Sequence, residues 1–255
     1  MSEERKLVIP GDFLGEGHAG SGAYEETAGK VFSKVIGLAE EKGGMHFVIP
    51  LSGIYNPKRG DGVVARIQDI IVSKWLVDIN SPYEGVLPLS EATEEFIDFT
   101  KSDMTKYFNY GDLIFAEILS VTKTKNIQLS MRNRKCRKLR AGRVITVTPA
   151  KVPRIIGKQG SMVEMIKDIT NTQIVVGQNG IVWVKGDNDD IAIEAVLEIE
   201  RKSHVSGLTD HIKSMLEKKM KSSGREFKPS KARESEGNEQ NQEFQHDEGV
   251  EFNEA

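Results

Sequence analysis

Residues 154–166 read Arg-Ile-Ile-Gly-Lys-Gln-Gly-Ser-Met-Val-Glu-Met-Ile, and the patterns on either side of them leave few folds open. Val144–Val147 alternates as a short strand, and Pro153 stands where a proline is tolerated, in the first turn of a helix. After Gly157-Lys158-Gln159-Gly160, the apolar positions Val163, Ile166 and Ile169 recur at helical spacing. Two strand patterns follow, Ile174–Val176 and Ile181–Val184, joined at Asn179-Gly180. A last helix carries Ile191, Ala195, Val196 and Ile199 on one face. The order is β-α-α-β-β-α. The G-x-x-G spacing alone carries nothing: 24 glycines in 255 residues predict roughly two chance matches, and the chain has three, at Gly17/Gly20, Gly157/Gly160 and Gly177/Gly180. The setting between two helices singles out Gly157/Gly160.

This segment, with its isoleucine-flanked I-G-K-Q-G, resembles KH domains. Glycines at both ends of the turn let a sugar-phosphate backbone approach the main chain, and the helix opening at Ser161 turns its positive end toward phosphates. Lys158 adds a mobile charge, with Gln159 beside it. Ile156 offers an apolar surface to an unstacked base, and Lys151 and Arg154 add positive charge nearby. The alternative is a tight helix–helix turn with no ligand.

Charge distribution supports a polyanion partner. Between Glu117 and Glu164 there is no acid, while Lys123, Lys125, Arg132, Arg134, Lys135, Arg137, Lys138, Arg140, Arg143, Lys151, Arg154 and Lys158 are all basic. Such a block is an electrostatic footprint for nucleic acid, or else a solvated face that pairs with acids elsewhere in the fold. The overall net charge of -3 conceals this asymmetry, because residues 224–255 hold nine acids against four bases.

Upstream, Gly60-Asp61-Gly62-Val63-Val64-Ala65-Arg66-Ile67 and Gly111-Asp112-Leu113-Ile114-Phe115-Ala116-Glu117-Ile118 share the pattern G-D-x-[VI]-x-A-x-I. In each a Gly-Asp turn leads into a strand with one apolar face. Strands at Trp75–Ile79, near Gly85–Leu89 and at Ile127–Ser130 complete five, which suits an OB barrel; a polar stretch with helical character, Ser90 to Lys106, lies among them. Trp75 is expected in the core. Residues 7–58 alternate apolar runs with turns, including Glu41-Lys42-Gly43-Gly44, and predict a small β-rich unit with a hairpin. Its Gly15–Gly22 loop lacks the G-K-[ST] ending of a phosphate loop.

The order of parts is similar to the KH-containing cap subunit of the archaeal RNA exosome. The resemblance covers about 1–205 and rests on Val8-Ile9-Pro10-Gly11-Asp12, Gly53-Ile54-Tyr55-Asn56-Pro57-Lys58-Arg59-Gly60-Asp61, Trp75-Leu76-Val77-Asp78-Ile79, Leu129-Ser130-Met131-Arg132 and the KH loop. The expected fold class is mixed β and α+β. It comprises a β-rich N-terminal domain (1–58), a five-stranded OB barrel (59–135), a βααββα KH domain (136–205), a helix at 206–223 and a disordered acidic tail (224–255). The resemblance implies a non-catalytic subunit that sits with other cap subunits on a ring of phosphorolytic nuclease subunits. It would dock through the N-terminal domain and part of the barrel, capture single-stranded, poly(A)-rich or unstructured RNA, and feed 3′ ends to the pore. Where OB domains of the ribosomal-protein type stack bases, this chain has Ser73, Leu76 and Pro88. Contact by the barrel is therefore assigned to charge, chiefly Lys123, Lys125, Arg132 and Arg134.

An enzyme reading finds little support. The five histidines show no metal-ligand spacing, Cys136 stands alone in a basic run, and no nucleophile motif appears, so neither a metal nor a cofactor is expected. No apolar run approaches a membrane span, no secretory signal is visible, and the single cysteine fits a reducing, cytoplasmic compartment. The rival reading is a transcription or translation factor binding RNA through OB and KH domains; bacterial factors of that sort carry tandem KH domains, and this chain has one.

Overall fold

A computed structural model describes residues 6–25, 29–93, 104–203 and 207–222. The tail and most of the polar stretch between Thr93 and Met104 lie outside the described residues, and with them the expectations of tail disorder and of helix there; the ends of that stretch form the one-turn helix α1 (Leu89–Ala92) and a short 3-10 turn at Met104–Lys106.

Among the described residues the N-terminal unit holds seven strands: β1 (Leu7–Val8), β2 (Phe13–Glu16), β3 (His18–Ala19), β4 (Ala23–Glu25), β5 (Lys30–Ser33), β6 (Gly37–Lys42) and β7 (Met45–Pro50). They form a four-stranded sheet, β1-β6-β7-β3, and a three-stranded sheet, β2-β5-β4. β6 and β7 pair from Gly37↔Pro50 to Lys42↔Met45, so Gly43 and Gly44 alone make the turn; both have positive φ (59° and 76°), as a two-residue hairpin turn demands. The core between the sheets is small: Val8, Ala23, Val31 and Val48. The glycines of the 15–22 loop serve packing, since a Cβ on Gly15 would stand 2.5 Å from the His46 ring.

The barrel comprises β8 (Gly62–Ile71), β9 (Lys74–Asp78), β10 (Gly85–Pro88), β11 (Leu113–Val121) and β12 (Ile127–Ser130). It closes because β12 pairs with β10 in parallel and with β11 antiparallel. The two halves of the sequence echo face each other: β8 and β11 are antiparallel, with Ala65 opposite Ile114 and Val63 opposite Ala116. Each Gly-Asp turn closes on the isoleucine that ends the other pattern. Gly60 N–H donates to Ile118 C=O and Ile118 N–H to Asp61 C=O, while Gly111 N–H donates to Ile67 C=O and Ile67 N–H to Asp112 C=O. The repeat is thus a local two-fold that fixes register at both ends of the strand pair. Alternate residues fill the interior, with Val63, Ile67, Trp75, Val77, Leu87, Ile114, Ile118 and Leu129 almost wholly buried. Trp75 donates its indole N–H to Phe108 C=O (3.2 Å) and packs edge-on against the Phe108 ring. A further strand, β13 (Arg137–Leu139), pairs with β11, so the barrel sheet continues past residue 135.

In the C-terminal unit, β14 (Arg143–Thr146), β15 (Gln173–Val176) and β16 (Ile181–Lys185) form a sheet in the order β14-β16-β15. Helices α2 (Val152–Ile156), α3 (Ser161–Thr170) and α4 (Asp189–Arg201) cover one face. Helix α5 (Leu208–Ser222) joins them, burying Leu208, Ile212, Leu216 and Met220 in the same core. The other face of the sheet packs on the barrel: Trp183, Val144, Val175 and Ile181 meet Val64, Leu113, Phe115 and Leu139.

Candidate nucleic-acid interface

Helix α2 is stopped by Gly157, whose φ of +76° no L side chain adopts easily. A Cβ there would lie 2.6 Å from the Cβ of Met162, so this glycine is required by the packing of the turn itself. Gly160 differs: it is also left-handed (φ +86°), but its Cβ position is open except for the Glu164 carboxylate beyond 3.5 Å. Of the two glycines, Gly160 is the one that leaves room for an approaching backbone. Between them Gln159 takes a left-handed conformation (φ +54°), which holds Lys158 and Gln159 out in solvent. Helix α3 then begins without a side-chain cap, with Ser161 exposed at its first position. Its positive end faces outward, tempered by Glu164 in the first turn. Ile156 packs partly on the core and stays half-exposed at the foot of the loop.

Lys151 and Arg154 flank the same turn. Arg154 donates from Nε to Ser203 C=O (3.0 Å), which draws its guanidinium toward the end of α4. Thr148, at the entry to α2, is pinned by Glu200, which accepts from both its N–H and its hydroxyl at 2.7 Å. The structure thus assembles Lys151, Arg154, Ile156, Gly157, Lys158, Gln159, Gly160 and Ser161 around one exposed turn.

The four barrel cations are not brought together. Lys123 and Lys125 sit in the loop that enters β12, whereas Arg132 and Arg134 follow its exit, about 13 Å away along a four-residue strand. Arg132 is engaged, donating to Ser90 C=O (2.9 Å) and pairing with Glu91 at 3.4 Å. Two further members of the acid-free block are paired through space, Lys138 with Asp112 and Arg143 with Asp189. Lys123, Arg134, Lys151 and Lys158 have no ion-pair partner among the described residues. Asp112 shows what pairing does: burial works against its charge, but the Asn109 N–H and the Lys138 ammonium outweigh that and hold its carboxyl below the usual range. The Cys136 thiol goes the other way, pushed up by burial and by Glu117, which argues against a reactive thiolate.

Sequence reasoning set aside the match Gly177/Gly180. The structure places that turn, Gly177-Gln178-Asn179-Gly180, in the joint between KH unit and barrel. Strand β9 ends opposite Arg66, so the outer edge of β8 at Val64 has no strand neighbour. Asn179 takes that place. Its Nδ2 donates to Val64 C=O (2.8 Å) and Ile79 C=O (2.9 Å), and its Oδ1 accepts from Val64 N–H at 3.4 Å. Gln178 N–H donates to Gly62 C=O (2.8 Å), and Asn80 Nδ2 to Asn179 C=O (2.9 Å). Asn179 is fully buried. Asn-Gly after a strand reads as an ordinary hairpin turn, so nothing in the sequence marks it as a side-chain extension of the barrel sheet.

A second overlooked feature lies on the N-terminal sheet. Leu7, Leu38 and Ile49 stand opposite one another on β1, β6 and β7 and so share a face. Leu38 is half-buried between its exposed neighbours Leu7 and Ile49; at the strand ends Ile9, Ile36 and Leu51 are exposed too, and Leu7, Ile9 and Ile36 are each at least half exposed. Such a contiguous apolar face on an otherwise charged chain marks an interaction surface.

Three protein-family models match the chain in the order these units were described. A model for the exosome RNA-binding protein Rrp4 N-terminal domain matches residues 5–52, one for the Rrp4 S1 domain residues 54–120, and one for a KH domain residues 142–190. The exosome complex component Rrp4 of Thermococcus kodakarensis is 46% identical over 219 residues, covering 83% of this chain and 85% of its own length. That of Pyrococcus furiosus is 44% identical over 225 residues, 86% and 85% of the two chains. A crystal structure assigned as an exosome complex RNA-binding protein superposes with a TM-score of 0.61 at 31% identity, over 67% of this chain and 99% of the solved one. With the N-terminal, S1 and KH matches in one order and identity sustained across more than four-fifths of the sequence, this chain belongs to the archaeal Rrp4 family of exosome RNA-binding components.

Proposed function

We propose that the protein caps a ring of phosphorolytic nuclease subunits, holds single-stranded RNA on its KH loop and barrel, and directs the 3′ end toward the ring without cutting it. The observation that carries this reading is the division of the surface. The exposed apolar face formed by Leu7, Ile9, Ile36, Ile49 and Leu51 belongs to the N-terminal sheets, whereas the KH loop and the lysine-bearing barrel loop belong to the other two units. A protein that only bound RNA has no use for the first; a ring subunit needs it. Poly(A)-rich or unstructured RNA suits a loop that offers charge and an apolar foot but no array of base-reading donors. Docking is assigned to the N-terminal unit and the adjoining barrel, RNA capture to Lys151, Arg154, Ile156 and the Gly157–Ser161 turn, with Lys123, Lys125 and Arg134 on the barrel. Arg132 contributes less, being held by Ser90 and Glu91. A reducing, cytoplasmic setting accords with the single cysteine.

Co-purification tests the reading. Tagged full-length protein is expected to bring down a phosphorolytic ring from cells, and the pure chain is expected to bind RNA without releasing nucleoside diphosphates in the presence of phosphate. Recovery of a polymerase or ribosome in place of the ring, or phosphorolysis by the pure chain, refutes it.

A further inference from the structure

The barrel lacks aromatic residues at the positions where OB domains of the ribosomal-protein type stack bases: Leu76 and Pro88 lie half-exposed on the outer face, and Ser73 is exposed in the β8–β9 turn. An aromatic ring and a lysine nevertheless meet at one end of the barrel. Because β10 and β12 run parallel, with Gly85 opposite Ile127, the loops entering them lie side by side. The first presents Tyr83, a residue 37% exposed; the second presents Lys125, whose ammonium stands 5.5 Å from the centre of the Tyr83 ring and 3.4 Å from Asn56 Oδ1.

The loop carrying Tyr83 is held in shape. Asp78 accepts from Asn80 N–H (2.8 Å), Asn80 donates to Asn179 of the KH tip, and Ser81 Oγ both donates to Tyr83 C=O (2.7 Å) and accepts from Tyr83 N–H (3.1 Å), with Pro82 between them. Lys125 has φ +62°, a conformation costly for any residue with a side chain and one that glycine or asparagine ordinarily fills. Retaining lysine there aims its ammonium across the loop at the ring. The contacts it makes are weak and exchangeable, an exposed cation–π pair and a long hydrogen bond. Exposed Lys123 shares its loop, and exposed Lys58 and Arg59 adjoin Asn56 in the neighbouring turn. Of the acids close by, the Asp61 carboxylate is occupied by the Tyr55 hydroxyl (2.6 Å), and Glu84 follows Tyr83 directly.

We propose that Tyr83 is a base-stacking platform for single-stranded RNA, with Lys125 resting on its ring in the free protein and moving to a phosphate when a base takes the ring face. This rests on the RNA-binding reading above and adds to it the residue by which the barrel stacks a base. The surrounding cations, Lys58, Arg59 and Lys123, hold the strand's backbone at the same barrel end.

The test uses the full chain and oligo(A) of about 12 nucleotides, titrated across a salt series, beside the same oligomer with abasic sites. Tyr83→Ala is expected to weaken binding roughly 5- to 150-fold with an unchanged salt slope, and to have no effect on the abasic oligomer. Tyr83→Trp is expected to restore affinity and to gain a fluorescence signal quenched by the bases, since Trp75 and Trp183 are buried and contribute a constant background. Lys125→Ala is expected to lower the salt slope by ~0.7. If wild-type protein binds and Tyr83→Ala binds as tightly, or the new tryptophan is not quenched, stacking on residue 83 is refuted while RNA binding stands. If wild-type protein binds no RNA, both readings fall together.

Discussion

Replacing Asn179 by alanine probes the joint between barrel and KH unit. The side chain is fully buried and supplies two short donated hydrogen bonds and one longer accepted one, all to backbone groups of the barrel. Alanine leaves Val64 N–H, Val64 C=O and Ile79 C=O without partners at a site where no other strand reaches them. An unsatisfied buried backbone group costs about 1 to 3 kcal/mol, and the long Val64 bond belongs at the low end of that range, so the expected loss is about 3 to 7 kcal/mol. Asn179 has negative φ, so no backbone relief offsets this. Equilibrium urea unfolding of the full chain measures it, with amide hydrogen exchange at Val64 as a local readout. Asn179→Asp is expected to be worse, because it places a carboxylate oxygen against two carbonyls. A loss under about 0.5 kcal/mol with unchanged protection at Val64 would refute the assignment of the joint to this side chain.

Other perturbations separate roles within the site. Gly157→Ala should destabilise the KH unit by more than Gly160→Ala in thermal denaturation, because only the first meets Met162; a charge-reversal test of the loop therefore belongs at Lys158, not at Gly157. Lys158→Glu should weaken RNA binding with unchanged melting temperature, and Lys158→Ala should lower the salt slope by ~0.7 per phosphate contact, read by filter binding. Leu7→Glu with Ile49→Glu should abolish co-purification of the ring while leaving the melting temperature within a few degrees, because both side chains are exposed in the free chain. The folded-state pKa of Asp112 is depressed, so the stability it contributes is present above the usual carboxylate pKa and is lost as pH falls through the lower folded value. Asp112→Asn should accordingly flatten the acid-side slope of an unfolding series.

What the sequence reveals depends on how local the cause is. The barrel strands are legible because each alternates over its own few residues, and the Gly-Asp echo is legible because the same turn occurs twice. The KH order follows from six short patterns in a row, each complete within about a dozen residues. Charge is different. An acid-free window in sequence predicts an unneutralised surface only if no acid arrives through space, and Glu91 reaches Arg132 across 41 positions, as Asp189 reaches Arg143 across 46. Lys123 and Arg132 look like one cluster in the chain and are separated by the length of β12. Tyr83 and Lys125 look unrelated and are neighbours, because a parallel strand pair brings together loops that are 42 residues apart. The roles of Gly157 and Gly160, alike in the motif, divide only when Met162 is placed behind one of them.

The Asn179 joint also sets how RNA length is felt. Two binding modules on a flexible tether sample many separations, so each added nucleotide raises avidity by degrees. Here the turn that would be free in an isolated KH unit is spent as part of the barrel's sheet, and the neighbouring Asn80 ties the Tyr83 loop to the same point. The gap between loop and platform is therefore fixed. A strand shorter than that gap engages one or the other, and a strand just long enough engages both at once. Affinity plotted against oligonucleotide length should rise as a step, whose position measures the gap; loosening the joint with Asn179→Ala should turn the step into a slope.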